Sequence, residues 1–208
     1  MGELAGTNLT YLFPTPFARH VWSDGAALNE QLRPLILARE RSTRGAIGSN
    51  VDGWQSEADT LPWCGKAGEQ LIRHIMELVN HVTYWVLADV NRQAPAFSWS
   101  LQAWANVNRT GAFNRQHIHS GATWSGIYYV DTGDPPADAQ HGTLVLTTSD
   151  PGRASTFMPE LASTEIAMKP EPGLTVRFPA YLPHAVSPHK GKRPRISIAF
   201  NLRKEPFP

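Results

Sequence analysis

Three histidines and one arginine carry the chemical interest of this chain. His117 and His119 stand one residue apart in Asn114–His119 (NRQHIH), which runs directly into a β-like segment ending at Val130. On an extended chain, residues i and i+2 point to the same face, so the two imidazoles can aim at one point. On a helix the same pair would lie about 200° apart and could not converge. His184 lies far downstream in Phe178–Pro188 (FPAYLPHAVSP), fixed between prolines just past a second strand-like stretch. Three neutral imidazoles meeting at one point make a site for a transition-metal ion. Arg195 opens the next strand after a tight basic turn, Lys190–Pro194. A planar, permanently charged fork there could grip a carboxylate in two places. Asn106, Asn108, Asn114 and Gly111 lead into the histidine pair. An imidazole pair on a strand can also be a plain surface feature, and His184 can be structural, so no one residue settles the matter.

These residues need a β scaffold, and the second half of the chain supplies its pattern. From Phe97 onward the periodicity is two. Ser100, Gln102, Trp104, Asn106 and Asn108 alternate with Leu101, Ala103, Ala105 and Val107. Arg195, Ser197, Ala199 and Asn201 alternate with Ile196, Ile198, Phe200 and Leu202. The polar faces hold Asn and Arg but few Lys or Glu, which suits a pocket lining better than open solvent; the apolar faces would then pack on helices. Further strands are expected at Thr123–Val130, Gly142–Thr148, Ser163–Met168 and Leu174–Phe178. The loops 131–141 and 149–162 are long enough to act as lids, and His141 and His189 in such loops stay outside the expected site.

The first half reads as a cover. Thr10–Phe17 is short, apolar and broken by two prolines, which fits an edge strand. Ser23 or Asp24 can cap a helix carrying Leu28, Leu32, Leu35 and Ile36 and ending near Ser42–Gly45. Residues 43–65 read as a Trp-rich loop, offered here as a surface for a second copy of the chain. A second helix over 66–90 carries Leu71, Ile75, Leu78, Val82, Trp85 and Val86 as one stripe. His74 and His81 lie off the stripe and read as solvated or capping residues.

Length and composition bound the rest. A chain of 208 residues suits a single domain, with 1–95 as helical cover and edge strand and 96–208 as β core. Hydrophobic content of 41% provides a sizeable core, and a net charge of +1 with no block of like charge argues against nucleic acid. One cysteine, Cys64, precludes an internal disulfide and fits a reducing, cytoplasmic compartment. No signal-peptide pattern and no apolar run of membrane-spanning length is present, so no membrane is expected as partner.

Taken together, the region from about Trp104 to Leu202 resembles the iron(II)/2-oxoglutarate-dependent oxygenases, most closely a bacterial and phage branch. The matching pieces are Asn108–His119 (NRTGAFNRQHIH), Trp124–Val130 (WSGIYYV), Pro172–Pro179 (PGLTVRFP) with His184, and Arg195–Asn201 (RISIAFN). Ser49–Ser56 (SNVDGWQS) also looks like this branch. The resemblance covers about half the chain. It implies a mainly β fold, a double-stranded β-helix or jelly-roll barrel with the N-terminal helices packed on one sheet. It implies Fe(II) on His117, His119 and His184, and the far carboxylate of 2-oxoglutarate on Arg195, with Ser197, Asn106 and Tyr129 as further holders. It implies hydroxylation of a small molecule or an amino-acid side chain. Trp104, Trp124 and Tyr128 are expected as walls of an aromatic substrate pocket. One departure stands out: the wider superfamily has His-x-Asp where this chain has His117-x-His119. Asp131, at the far end of the following strand, is the nearest alternative carboxylate, although about a dozen residues at ~3.3 Å each carry it away. Two other classes stay open on the residues: a cupin-like three-histidine metal enzyme that does not use 2-oxoglutarate, and a metal-free β-sandwich interaction module.

Overall fold

The computed structural model describes residues 14–89, 98–134, 141–150, 152 and 164–205. Two antiparallel sheets face each other. The larger is made of β1 (Ala18–Val21), β9 (Leu174–Pro179), β6 (Trp124–Asp131), β11 (Arg195–Lys204), β4 (Trp99–Asn108) and β3 (Trp54–Gln55), in that order. The smaller runs β2 (Asn50–Val51), β5 (Phe113–His117), β10 (His184–Val186), β7 (Leu144–Thr147) and β8 (Glu165–Met168). This is the expected double-stranded β-helix, with α1 (Gly25–Ser42), α2 (Thr60–Trp63) and α3 (Gly65–Asp89) laid on the outer face of the larger sheet.

The period-two pattern explains which face goes where. Ala103, Ala105 and Val107 of β4 and Ile196, Ile198, Phe200 and Leu202 of β11 join one core cluster with Leu28, Leu32 and Ile36 of α1 and Leu71, Ile75 and Val79 of α3. Leu28, Leu32 and Ile36 stand four residues apart, form one stripe and are fully buried; each contributes about 1.5–3 kcal/mol of apolar burial. The polar residues of the same strands therefore face the space between the sheets: Asn106, Asn108, Arg195 and Ser197 are all buried there. Leucine, valine, isoleucine and aromatic side chains of β6, β7 and β9 close the rest of that interior as a second cluster, Ile127, Tyr129, Leu144, Leu146, Val176 and Phe178 among them.

Several expectations shift. The edge strand lies at Ala18–Val21, pairing with β9, after the two prolines; Thr10–Phe13 of the expected span fall outside the described residues. The start of β4 near Phe97 and most of the two expected lid loops also fall outside them. Asp24 precedes α1 but makes no cap bond; its carboxylate accepts from Gln70 Nε2 (2.7 Å) and pairs with His74 (3.2 Å), tying α1 to α3. His74 is thus held in place, stacked on Trp22 at 3.9 Å, rather than solvated. Leu35 is exposed because it lies one residue off the Leu28–Leu32–Ile36 stripe, and Trp85, expected on the apolar stripe of α3, is exposed as well. Residues 43–65 are not a plain loop. They hold β2, β3 and α2, and Trp54 and Trp63, both half-buried, pack against the chain's own core. β2 pairs with β5 in one sheet and β3 with β4 in the other, so the bend at Asp52–Gly53 laces the two sheets together.

Candidate metal centre and acid-binding pocket

His117 ends β5 and His184 opens β10; the two are direct cross-strand partners. Directly opposed residues in an antiparallel pair bring their side chains together, and here the ring centroids are 4.3 Å apart. His119 lies just beyond the end of β5 instead of within it, so strict strand alternation does not position it. Its backbone N–H donates to the Ala180 carbonyl (3.0 Å), pinning it against the turn before His184. The result is the same convergence: His119 is 4.8 Å from His117 and 5.1 Å from His184, centroid to centroid. One nitrogen from each ring falls in a group whose atoms all lie within 4.8 Å of one another.

The hydrogen bonds choose the nitrogen. His117 Nδ1 lies 2.7 Å from the Arg115 carbonyl, and His184 Nδ1 lies 2.8 Å from the Leu182 carbonyl. A carbonyl can only accept, so Nδ1 carries the proton and Nε2 keeps its lone pair for a metal. Burial, together with the neighbouring imidazoles, pushes His119 down to about 3. Burial likewise pushes His184 down to about 4. Both are neutral at neutral pH, so no proton has to leave before a metal binds. Asp131 is not an alternative ligand. It is buried at the far end of β6, where Arg33 Nε (2.8 Å) and Arg193 Nη2 (3.1 Å) hold its carboxylate.

Deeper between the sheets lies a row of polar residues set by register. Ser197 of β11 pairs with Asn106 on one side and Tyr129 on the other, and Arg195 pairs with Asn108. Arg195 is 1% exposed. Its Nε donates to the Gly142 carbonyl (2.9 Å) and its Nη1 to Ser197 Oγ (3.0 Å). Its Nη2, the Tyr129 hydroxyl and Asn106 Oδ1 are buried without a hydrogen-bond partner. Burial lowers the Arg195 pKa and raises that of Tyr129, so Tyr129 stays a protonated donor. Two unsatisfied donors, one of them cationic, in a closed space cost free energy unless an acceptor arrives, and a carboxylate is the acceptor that fits both. The donor set therefore fits a carboxylate.

Trp104 lines a cavity with His117 and His119, as expected, and its ring is 5.4 Å from that of His119. Trp124 and Tyr128 do not. Alternation along β6 turns both toward the helices: Tyr128 donates to Asn29 Oδ1 of α1 (2.8 Å), and Trp124 lies beneath the buried guanidinium of Arg177. Phe178, from the inner face of β9, packs on His184 at 4.8 Å instead. Asn108 and Asn114 act as braces, Asn114 donating to Ser49 Oγ (3.2 Å). His141 and His189, set aside as loop residues, are both buried; His189 Nε2 is held by the Arg193 carbonyl (2.8 Å) near Arg195. The sequence reading missed the Gly142, Ala180, Arg115 and Leu182 carbonyls, which orient the site. Backbone acceptors leave no residue-type signal, and only Gly142, at φ +61°, has a conformation that favours its residue type.

A family model described as "Putative 2OG-Fe(II) oxygenase" matches residues 102–201, which include all three histidines and Arg195. Among solved structures, a Pseudomonas putida prolyl-4-hydroxylase is similar, with a TM-score of 0.65 at 19% identity over 91% of this chain and 93% of that one. AviO1 from Streptomyces viridochromogenes gives a TM-score of 0.60 at 15% identity, covering 93% of each chain. The epimerase SnoN, solved with Fe3+, alpha ketoglutarate and nogalamycin RO, gives 0.60 at 14% identity over 90% of this chain and 78% of that one. At such identities the likeness to solved structures is one of fold. No curated protein matches the sequence. The match over residues 102–201, the region that carries the histidines and the buried arginine, makes this stretch of the chain similar to the 2OG-Fe(II) oxygenase family.

Proposed function

We propose that this protein hydroxylates a small molecule or an amino-acid side chain, using Fe(II), 2-oxoglutarate and O2. His117, His119 and His184 hold the iron through their free nitrogens. Arg195 and Tyr129 receive the far carboxylate of 2-oxoglutarate, with Ser197 and Asn106 beside them. The bound iron and 2-oxoglutarate supply the oxidising power. One oxygen atom of O2 enters the substrate C–H bond as hydroxyl, the other enters succinate, and CO2 leaves. The chain's own part is to hold the acid in a dry interior and to keep three ligands neutral. The observation that carries this reading is the pairing of a three-imidazole cluster with a fully buried arginine whose spare N–H lacks a partner. A single free, buried Cys64 supports cytoplasmic residence as part of the same reading.

The test is succinate formation from 2-oxoglutarate with Fe(II) in air, with His117→Ala as control. Succinate from the wild type alone supports the reading. Tight metal binding with no affinity for 2-oxoglutarate would replace it with a cupin-like metal enzyme.

A further inference from the structure

A cavity of about 360 Å³ opens beside the imidazoles, and most of its wall has no role in holding iron or 2-oxoglutarate. One side is Trp104 with His117 and His119; the other is built from the segment 46–58. That segment is braced before any ligand arrives. Ala46 N donates to the Gln55 carbonyl (2.8 Å), Arg115 N to the Ser49 carbonyl (2.9 Å) and Ser56 N to the Ala105 carbonyl (2.9 Å). These bonds reach both sheets, so the wall is preformed and ligand binding need not order it.

The chemistry of the lining is one-sided. Glu57 is the one fully charged residue on it, and no lysine or arginine contributes. Among the described residues the Glu57 carboxylate makes no ion pair and no side-chain hydrogen bond; only its backbone carbonyl is engaged, by the Ser56 hydroxyl (2.7 Å). An unpaired carboxylate and an indole on the wall of one cavity favour a cation, first by charge and then through the ring's quadrupole. A carboxylate or phosphate substrate would meet Glu57 on a wall that holds no lysine or arginine.

We infer that the substrate of this site carries a positively charged nitrogen, an ammonium or guanidinium, set against Glu57 with its carbon chain lying along Trp104. This rests on the oxygenase reading for what happens next, but the binding preference is measurable without turnover. The probes are 4-phenylbutylamine, 4-phenylbutanol and 4-phenylbutyrate. Each is titrated calorimetrically into full-length protein loaded with redox-silent Mn(II) and 2-oxoglutarate. The amine should bind at least tenfold more tightly than the alcohol, and the acid least. Glu57→Gln should erase the difference between amine and alcohol, and Trp104→Leu should weaken both. A 2-oxoglutarate titration of each variant reports whether the site still forms, and Glu57→Asp should restore part of the preference. Equal binding of all three probes, tighter binding of the acid, no binding of any, or a preference that survives Glu57→Gln would each overturn the assignment. Failure of 2-oxoglutarate to bind the wild type sinks the oxygenase reading instead, and the probe series still reads the cavity by itself.

Discussion

Arg195→Met isolates the acid-binding half of the site. In the native chain the guanidinium donates three hydrogen bonds. Nε donates to the Gly142 carbonyl, Nη1 donates to Ser197 Oγ and, at 3.5 Å, to Asn108 Oδ1, and Nη2 is buried near the Tyr129 hydroxyl without a well-formed hydrogen bond. The Tyr129 hydroxyl, with its ring centroid 5.2 Å from Arg195 Cζ, also lacks one. A carboxylate arriving there gains a charge-assisted hydrogen bond from each, at about 1.5–3 kcal/mol for bonds to charged groups. Methionine removes the stronger donor and the positive charge while filling similar volume. The expected loss is about 2–4 kcal/mol, or roughly 30- to 700-fold in 2-oxoglutarate affinity at 1.4 kcal/mol per tenfold. Fold stability should move much less. The substitution strands the Gly142 carbonyl but also removes a buried cation that has no carboxylate partner, two effects of opposite sign. The assay is anaerobic calorimetric titration of 2-oxoglutarate into Mn(II)-loaded protein, alongside a thermal melt. An affinity within threefold of wild type, in a variant that melts normally, would refute the argument that the unpartnered N–H is waiting for this acid.

Four further outcomes follow from the same geometry. His119→Ala should lose bound iron, measured by elemental analysis, whereas His119→Asp should retain it, because a carboxylate also ligates ferrous iron; equal retention by both variants would remove His119 from the ligand set. Gly142→Ala should raise the Kd for 2-oxoglutarate about tenfold. A Cβ there would sit 3.0 Å from Arg195 Cδ on a backbone at φ +61°, which costs about 1–2 kcal/mol for a non-glycine residue, and an unchanged Kd would contradict that. Arg177 is fully buried over the Trp124 ring, with Nε and Nη1 unpartnered; burial pushes it down to about 9, so it stays a cation at neutral pH. Two orphan donors at about 1–3 kcal/mol each outweigh a cation–π contact of about 2 kcal/mol, so Arg177→Met should raise the melting temperature by a few degrees, and a lower one would reverse the ranking. Burial raises Cys64 from its ordinary 9.0 to about 12. A thiol raised on folding adds stability that is complete below pH 9 and is lost as pH climbs toward 12. Native protein at pH 8.5 should therefore resist iodoacetamide until it is unfolded, as mass spectrometry would show.

Strand pairing explains why so much could be read without coordinates. Period two in β4 and β11 assigns alternate residues to opposite faces, so Ala103, Ala105, Ile196 and Ile198 had to meet the helices, and Asn106, Arg195 and Ser197 had to face inward. Period two says nothing of which face a wholly apolar strand turns inward. The apolar run of β6 shows no clean alternation, so the sequence offered Trp124 and Tyr128 as pocket walls and Tyr129 as a holder of the acid. Only the pairing of β6 with β11 and the position of α1 sent Trp124 and Tyr128 outward and Tyr129 in. Segment 43–65 reads as loop because Gly, Asn, Asp and Pro punctuate it. Its two-residue strands form by pairing with β4 and β5, partners more than 50 positions away along the chain.

Local chemistry, then, named the candidate ligands: His117, His119, His184 and Arg195 are legible from residue type, spacing and the turn residues around them. Long-range contact decided everything about how they are held. The cross-strand match of His117 with His184, the Ala180 carbonyl that pins His119 and the Gly142 carbonyl that aims Arg195 are backbone interactions between distant segments. Hydrogen bonding to a main-chain oxygen is indifferent to side-chain type, so no pattern of residues can announce it before the chain has folded.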